Sequence, residues 1–279
     1  LPKPKTKPPR NPKQKLNLQK NPKPQKRNNL DEYLAFAQDL AKQGGKLILD
    51  NFGRKIDVEL KADHTPVTEV DKAINQLIID AVKAKYPEHG VDGEEASHGT
   101  GKEDLQWVVD PLDGTQCFID GVKQSTCIIG LTKQGKVLLS AVYDPFQDRL
   151  YSAVKDKGAY CNQEPIHVSD QALKGSRVLG DTIAQSYEAV FEEAGAVLED
   201  AHGAGFTCMA VAYGEVDALL KSSIDYHDVG PSSLIVQEAG GKFTNLEGNE
   251  VLFDGSYSGP VVVSNGTCHD EILALEKSA

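Results

Sequence analysis

Trp107-Val108-Val109-Asp110-Pro111-Leu112-Asp113-Gly114-Thr115 is the stretch on which the reading of this 279-residue chain turns. An apolar run rich in β-branched residues ends in a carboxylate, as a buried strand ending at a site does. Pro111 is expected to stop the ladder and fix the backbone. Leu112 leads to a second carboxylate, and Gly114-Thr115 allows close approach before a new element begins. Asp110 and Asp113 can then converge on one point, where two carboxylates repel unless a cation lies between them. A strand ended by an Asp-Gly turn is the ordinary alternative. Six specified residues behind an apolar strand weigh against it.

Outward from this stretch, length allows one large domain or two modest ones. A hydrophobic content of 39 % beside 25 % charged residues fits a globular chain. No apolar run approaches the roughly 18 residues of a membrane span, and no signal-peptide core is visible. Five scattered cysteines with no CxxC pair argue for reduced thiols and a cytoplasmic location, and against a zinc site. The net charge of −11 is uneven. Residues 1–29 hold ten Lys or Arg and no acid, so the 30 basic residues leave 20 for the body against 41 acids. The arm, rich in Pro and Lys and lacking apolar periodicity, is expected to be disordered. Its functional reading is contact with RNA, an anionic surface or an acidic body. The body, near −21 by the same count, repels anionic substrates unless bound cations offset it.

The spacing predicts a helix from Asp31 to about Gly53, then a strand in which Ile56, Val58 and Leu60 alternate. Thr68 and Asp71 form a candidate capping box for a helix ending at Tyr86-Pro87. Gly93-Glu94-Glu95 falls on a loop. Strands are expected at 126–132, 137–143 and 149–154, and at 217–220 and 261–263 later in the chain. Helices are expected over 185–195 and 208–213, after Asp228 as N-cap with Gly240-Gly241 at the C-cap, and from His269. No internal repeat is found. Residues 30–150 read as an N-terminal α+β half carrying most candidate ligands, and residues 151–279 as a C-terminal α/β half supplying Asp228 and the substrate pocket.

Glu94, Asp110, Asp113 and Asp228 form an all-oxygen donor set, which suits a hard ion such as Mg²⁺. On Gly93-Glu94-Glu95, on Asp110-Pro111-Leu112-Asp113-Gly114-Thr115 and on Asp228 heading a helix that ends Glu238-Ala239-Gly240-Gly241, the chain resembles the inositol monophosphatase family of metal-dependent phosphomonoesterases. The resemblance covers about Asp31 to the C-terminus and omits the arm. It implies a layered α-β-α-β-α fold of the mixed α+β and α/β kind, homodimers and inhibition by lithium. It implies two or three Mg²⁺ ions: one on Glu94, Asp110 and the Leu112 carbonyl, one on Asp110, Asp113 and Asp228, and a weaker one near Glu94. Asp71 and Thr115 match the pair that orients the attacking water, so Glu94, Asp71 and Thr115 are the implied catalytic residues. The N–H groups of Gly114 and Thr115 would take the phosphate oxygens. Glu95 would support Glu94 from behind.

Three departures bear on substrate. His227 stands before Asp228 where the family often has Trp. Gln116-Cys117 replaces Thr-Asn, which puts a small packing residue, or a redox-sensitive thiol, near the site. Lys221 stands where inositol-specific members carry a hydrogen-bond-accepting glutamate, and a lysine favours an anion instead. The expected activity is Mg²⁺-dependent hydrolysis of a small phosphomonoester, inositol monophosphate first. Fructose 1,6-bisphosphate, histidinol phosphate and a 3′-phosphoadenosine nucleotide are the alternatives. An RNA- or transcription-complex-binding protein using the basic arm is the alternative of another class.

Overall fold

The computed structural model describes residues 29–62, 64–99, 105–223, 226–253 and 257–276. The basic arm lies outside the described residues except for Asn29, which opens α1 (Asn29–Asn51). A short hairpin, β1 (Val58–Leu60) and β2 (Pro66–Thr68), leads into α2 (Glu69–Lys85). The strands β3 (Gly90–Gly93), β4 (Leu105–Asp113), β5 (Thr126–Lys133), β6 (Lys136–Asp144), β7 (Arg149–Val154), β8 (Ala159–Cys161) and β9 (Glu164–Pro165) then form one seven-stranded sheet in that order. The short α3 (Thr115–Ile119) lies between β4 and β5. All neighbours in this sheet are antiparallel except β3 and β4.

The remaining chain runs β10 (Arg177–Gly180), α4 (Thr182–Ser186), α5 (Glu188–Ala194), β11 (Val197–Asp200), α6 (Ala204–Ala212), β12 (Ala218–Lys221), α7 (Tyr226–Glu238), β13 (Lys242–Asn245), β14 (Val261–Ser264) and α8 (His269–Glu276). Its five strands make a second sheet in the order β11-β10-β12-β14-β13. The expected division at residue 150 falls inside β7, which belongs to the first sheet, so the change of sheet comes after Pro165.

Five layers follow from which face each strand residue buries. Cys127, Ile129 and Leu131 pack with α1 and α2, whereas Ile128 joins the cluster of α6 and α7. In the second sheet Leu219, Val261 and Val263 face that same α6/α7 layer, and Ala218, Leu220 and Val262 face α4, α5 and α8. The order is α1/α2, seven-stranded sheet, α6/α7, five-stranded sheet, α4/α5/α8. Both sheets are covered on both faces, which is why Val108-Val109 and Val261-Val262-Val263 are continuous apolar runs.

Sequence expectations and structure differ in other places too. The helix expected over 185–195 is two, α4 and α5, meeting at Tyr187. The helix expected to follow Asp228 begins at Tyr226, so Asp228 lies in its first turn and Pro231 inside it. Ile56, Val58 and Leu60 alternate in sequence, yet β1 is exposed throughout, with Leu60 68 % accessible. Pro111 does not end β4, which continues to Asp113. The capping box is present as expected: the Thr68 side chain accepts from Asp71 N–H while the Asp71 carboxylate accepts from Thr68 N–H.

Candidate active site

The end of β4 positions the first carboxylates. Asp110 pairs with Ile128 and Asp113 with Thr126, so one extra residue is accommodated between them. In a regular ladder residues three apart point to opposite faces. The bulge removes that alternation and turns both aspartates toward the α6/α7 layer. Pro111, with no N–H to donate, sits where no ladder bond is made. Gly114 follows in the left-handed region at φ 79°, where a Cβ would stand 2.5 Å from the Gln124 carbonyl.

One carboxylate oxygen each from Glu94, Asp110 and Asp228 lies within 4.8 Å of the others. Glu94 comes from the loop after β3, Asp110 from β4 and Asp228 from the first turn of α7. Asp110 is 1 % exposed, and its Oδ1 accepts the Leu112 N–H at 2.9 Å. Burial, and then the charges of Glu94, Asp228 and Asp113, hold its carboxyl well above the usual range. Three like charges this close have the chemistry of a cation site, and an all-oxygen set fits Mg²⁺.

Asp113, expected to share a metal with Asp110 and Asp228, lines the same cavity but is not in that group of three. Its Oδ2 accepts the Phe206 N–H of α6 at 2.9 Å and the Thr126 hydroxyl at 3.1 Å. Burial raises its pKa, while the Phe206 and Gly205 N–H groups, the Thr126 hydroxyl and the Lys221 charge oppose the rise.

Asp71 is buried beneath the cluster. One of its oxygens takes the Thr68 N–H and hydroxyl; the other accepts the Thr115 hydroxyl at 3.0 Å. The same Thr115 hydroxyl lies 3.0 Å from the Leu112 carbonyl. Burial raises the Asp71 pKa against the lowering effect of these bonds.

A lysine that sequence reasoning missed stands over Glu94 and Glu95. Lys61 follows β1, and its Nζ lies 2.5 Å from Glu94 Oε1 and 2.7 Å from Glu95 Oε1. Burial alone would lower its pKa, but the two carboxylates raise it. Nothing around Lys61 in sequence marks it, because its partners are more than thirty residues away.

Glu94, Asp110, Leu112, Asp113, Gly114, Thr115, Lys221 and Asp228 all line one cavity of about 660 Å³, within the roughly 300–1,000 Å³ of small-molecule sites. Cys117 also lines it; burial and then Asp113 push its thiol up. His227 lies 3.5 Å from Asp92.

Residues 29–278 match the inositol monophosphatase family model. The chain belongs to the inositol monophosphatase family. It is 32 % identical over 263 residues to a fructose-1,6-bisphosphatase/inositol-1-monophosphatase of Aquifex aeolicus, covering 89 % of this chain and 97 % of that one. It is 30 % identical over 232 residues to the Nus factor SuhB of Pasteurella multocida, covering 78 % and 87 % of the two chains. Its fold superposes on a Thermotoga maritima IMPase with a TM-score of 0.81 at 26 % identity, over 88 % of this chain and 97 % of that one. As a member of this phosphatase family it is a phosphoric monoester hydrolase.

Proposed function

We propose that this cavity hydrolyses a small phosphomonoester with Mg²⁺. The observation that carries the reading is the Glu94, Asp110 and Asp228 cluster, within 4.8 Å, beside the hydrogen-bonded Asp71–Thr115 pair. Glu94, Asp110 and Asp228 would hold the ion, with Asp113 as a further ligand; two or three ions belong to the same proposal. Bound there, Mg²⁺ would neutralise phosphate oxygens and acidify the attacking water. Thr115 can accept that water's proton while its own passes along the existing bond to Asp71. Asp71 suits the task because burial makes its carboxyl more basic. The N–H groups of Gly114 and Thr115, at the start of α3, would receive the substrate's oxygens. Inositol monophosphate is the first substrate to test, then fructose 1,6-bisphosphate, histidinol phosphate and 3′-phosphoadenosine nucleotides. A homodimer, lithium inhibition and a cytoplasmic location belong to the same reading. Phosphate release from this panel, in Mg²⁺ and in EDTA, tests it; release equal in both media would overturn the metal-dependent mechanism.

A second reading rests on residues 1–29, with ten Lys or Arg and no acid, and on the relative named a Nus factor. The arm would bind RNA or a transcription complex. Deleting residues 1–28 should then abolish a steeply salt-dependent RNA affinity and leave phosphatase activity intact. An affinity unchanged by the deletion would overturn this reading.

A further inference from the structure

Lys221 and Asp181 end two adjacent parallel strands of the second sheet at its edge on the active-site cavity. Gly180 of β10 pairs with Leu220 of β12, so Asp181 and Lys221 follow side by side at the carboxyl ends of those strands. Crevices at the carboxyl ends of parallel strands are where open sheets present ligand-binding groups. Asp181 is tied to this edge. Its carboxylate accepts the Ser222 N–H at 3.0 Å, the Ser222 hydroxyl at 2.7 Å and the Ile183 N–H at 3.2 Å. The Lys221 ammonium stands 4.0 Å from Asp181 Oδ2, close enough to be oriented by its charge but beyond hydrogen-bond range. Its three N–H donors are therefore not spent on Asp181.

Lys221 is the one lysine or arginine among the described residues lining the cavity, where five carboxylates (Glu94, Asp110, Asp113, Asp120, Asp228) also stand. His202 and Ser223 add hydrogen-bonding groups to the same wall. Once cations offset the carboxylate cluster, the wall carrying Lys221 offers a second point of positive charge, away from the transferred phosphate. A neutral polyol offers this partly exposed ammonium only hydroxyl groups, whereas an anionic group meets it with a charge-assisted bond.

We propose that Lys221, positioned by Asp181, selects phosphomonoesters whose alcohol part carries a second anionic group. This deepens the phosphatase reading and rests on it. The chemistry admits a phosphate or a carboxylate as the second anion, and matched probes separate the two. Fructose 1,6-bisphosphate is compared with fructose 1-phosphate, and 2-phosphoglycerate with glycerol 2-phosphate, each by phosphate release in Mg²⁺. The wild-type chain is expected to favour the anionic member by tenfold or more in kcat/KM, mostly through KM. A preference confined to the bisphosphate assigns the second anion as phosphate; one shared by both pairs assigns it as any small anion. Lys221→Met should bring the ratio toward one, Lys221→Glu should invert it, and Asp181→Asn should lower it part-way. A wild-type ratio near one overturns the proposal. So does a Lys221→Met variant that slows all four probes equally, since the lysine would then serve only as a counter-charge to Asp113. Thermal shifts of the same four probes in Mg²⁺ read binding without turnover. Larger shifts for the anionic members, lost in Lys221→Met, sustain the proposal even where no probe is hydrolysed and the phosphatase reading fails. Equal shifts overturn the proposal.

Discussion

Asp110 is held by opposing demands. Its Oδ1 caps the Leu112 N–H, and its charge is buried among Glu94, Asp228 and Asp113. Asn at this position keeps an oxygen for Leu112 and removes the repulsion. Asp110→Asn is therefore expected to melt higher than the wild type in EDTA while losing at least 10³-fold in Mg²⁺-dependent turnover, an order set by charge stabilisation of the transition state. A lower melting temperature in EDTA, or retained turnover at high Mg²⁺, would contradict that account. Thr115→Val is the complementary case, because it removes the hydroxyl bonded to Asp71 without breaking the Thr68 cap. Loss of proton relay predicts a fall in kcat of about 10²-fold with KM little changed; a change confined to KM would assign Thr115 to binding instead. Asp110 to Thr115 and Thr68 with Asp71 were legible because their neighbours in space are neighbours in chain, whereas Glu94, Asp228, Lys221 and the pairing of Asp71 with Thr115 were reached through the family resemblance. Lys61 and Asp181 were not legible, because their partners Glu94 and Lys221 come from other elements and no local pattern records such a meeting.

Elements place these residues by small irregularities. The bulge in β4 was not legible: Pro111 read as a stop, whereas the bulge lets the strand pass a residue that cannot donate. Short strands such as β8 and the edge strands β9, β11 and β13 escaped notice because two to four residues carry no period. The start of α6 approaches Asp113 so closely that a Cβ on Gly203 would lie 2.6 Å from Asp113 Oδ2. Gly203→Ala should push that carboxylate off the Phe206 N–H, costing about 1–3 kcal/mol and at least tenfold in kcat/KM. Denaturant midpoints and kinetics on the same preparation check both. A second device joins α8 to the five-stranded sheet. Ser264 Oγ lies 2.7 Å from His269 Nδ1, and Thr244 Oγ1 lies 2.9 Å from Nε2. Thr244 spends its own proton on the Asn245 carbonyl, so Nε2–H donates to Thr244 and Nδ1 accepts from Ser264, which fixes a neutral ring. Burial, with the Lys242 charge, lowers the His269 pKa from 6.5 to about 4. Between those values the unfolded chain takes up a proton that the folded chain refuses. His269 thus leaves stability intact above about pH 6.5 and erodes it as pH falls toward 4. Urea midpoints from pH 7 to 4.5 should fall less steeply in His269→Gln than in the wild type, and equal slopes would refute the assignment.

Across the whole molecule, the cluster ties together parts of the chain that lie far apart in sequence. Glu94 and Asp110 belong to the seven-stranded sheet and its loops, and Asp228 to α7, which packs between the two sheets. The layered fold was legible only through the family resemblance; the continuous apolar runs of β4 and β14 fit it, since a strand covered on both faces needs no alternation. Its consequence for energetics was not, because it depends on which layer each carboxylate comes from. An ion held by Glu94, Asp110 and Asp228 binds the folded chain and has no assembled site in the unfolded one. At about 100 times its dissociation constant it adds about 2.7 kcal/mol to folding. A chain of this size moves by roughly 2–4 °C per kcal/mol, so the melting temperature should rise by about 5–10 °C. The body's excess of acids, 41 against 20 basic residues beyond the arm, also attracts cations without a site. That general screening acts through ionic strength, so Na⁺ at matched ionic strength reproduces it, whereas occupancy of the cluster does not follow Na⁺. Asp228→Asn separates the two from the side of the protein, because it removes one ligand and leaves the surface charge nearly unchanged. The expected result is a Mg²⁺-specific rise in the wild type, absent from Asp228→Asn and beyond what matched Na⁺ produces. Equal rises in both proteins would place the bound Mg²⁺ on the acidic surface rather than between the layers.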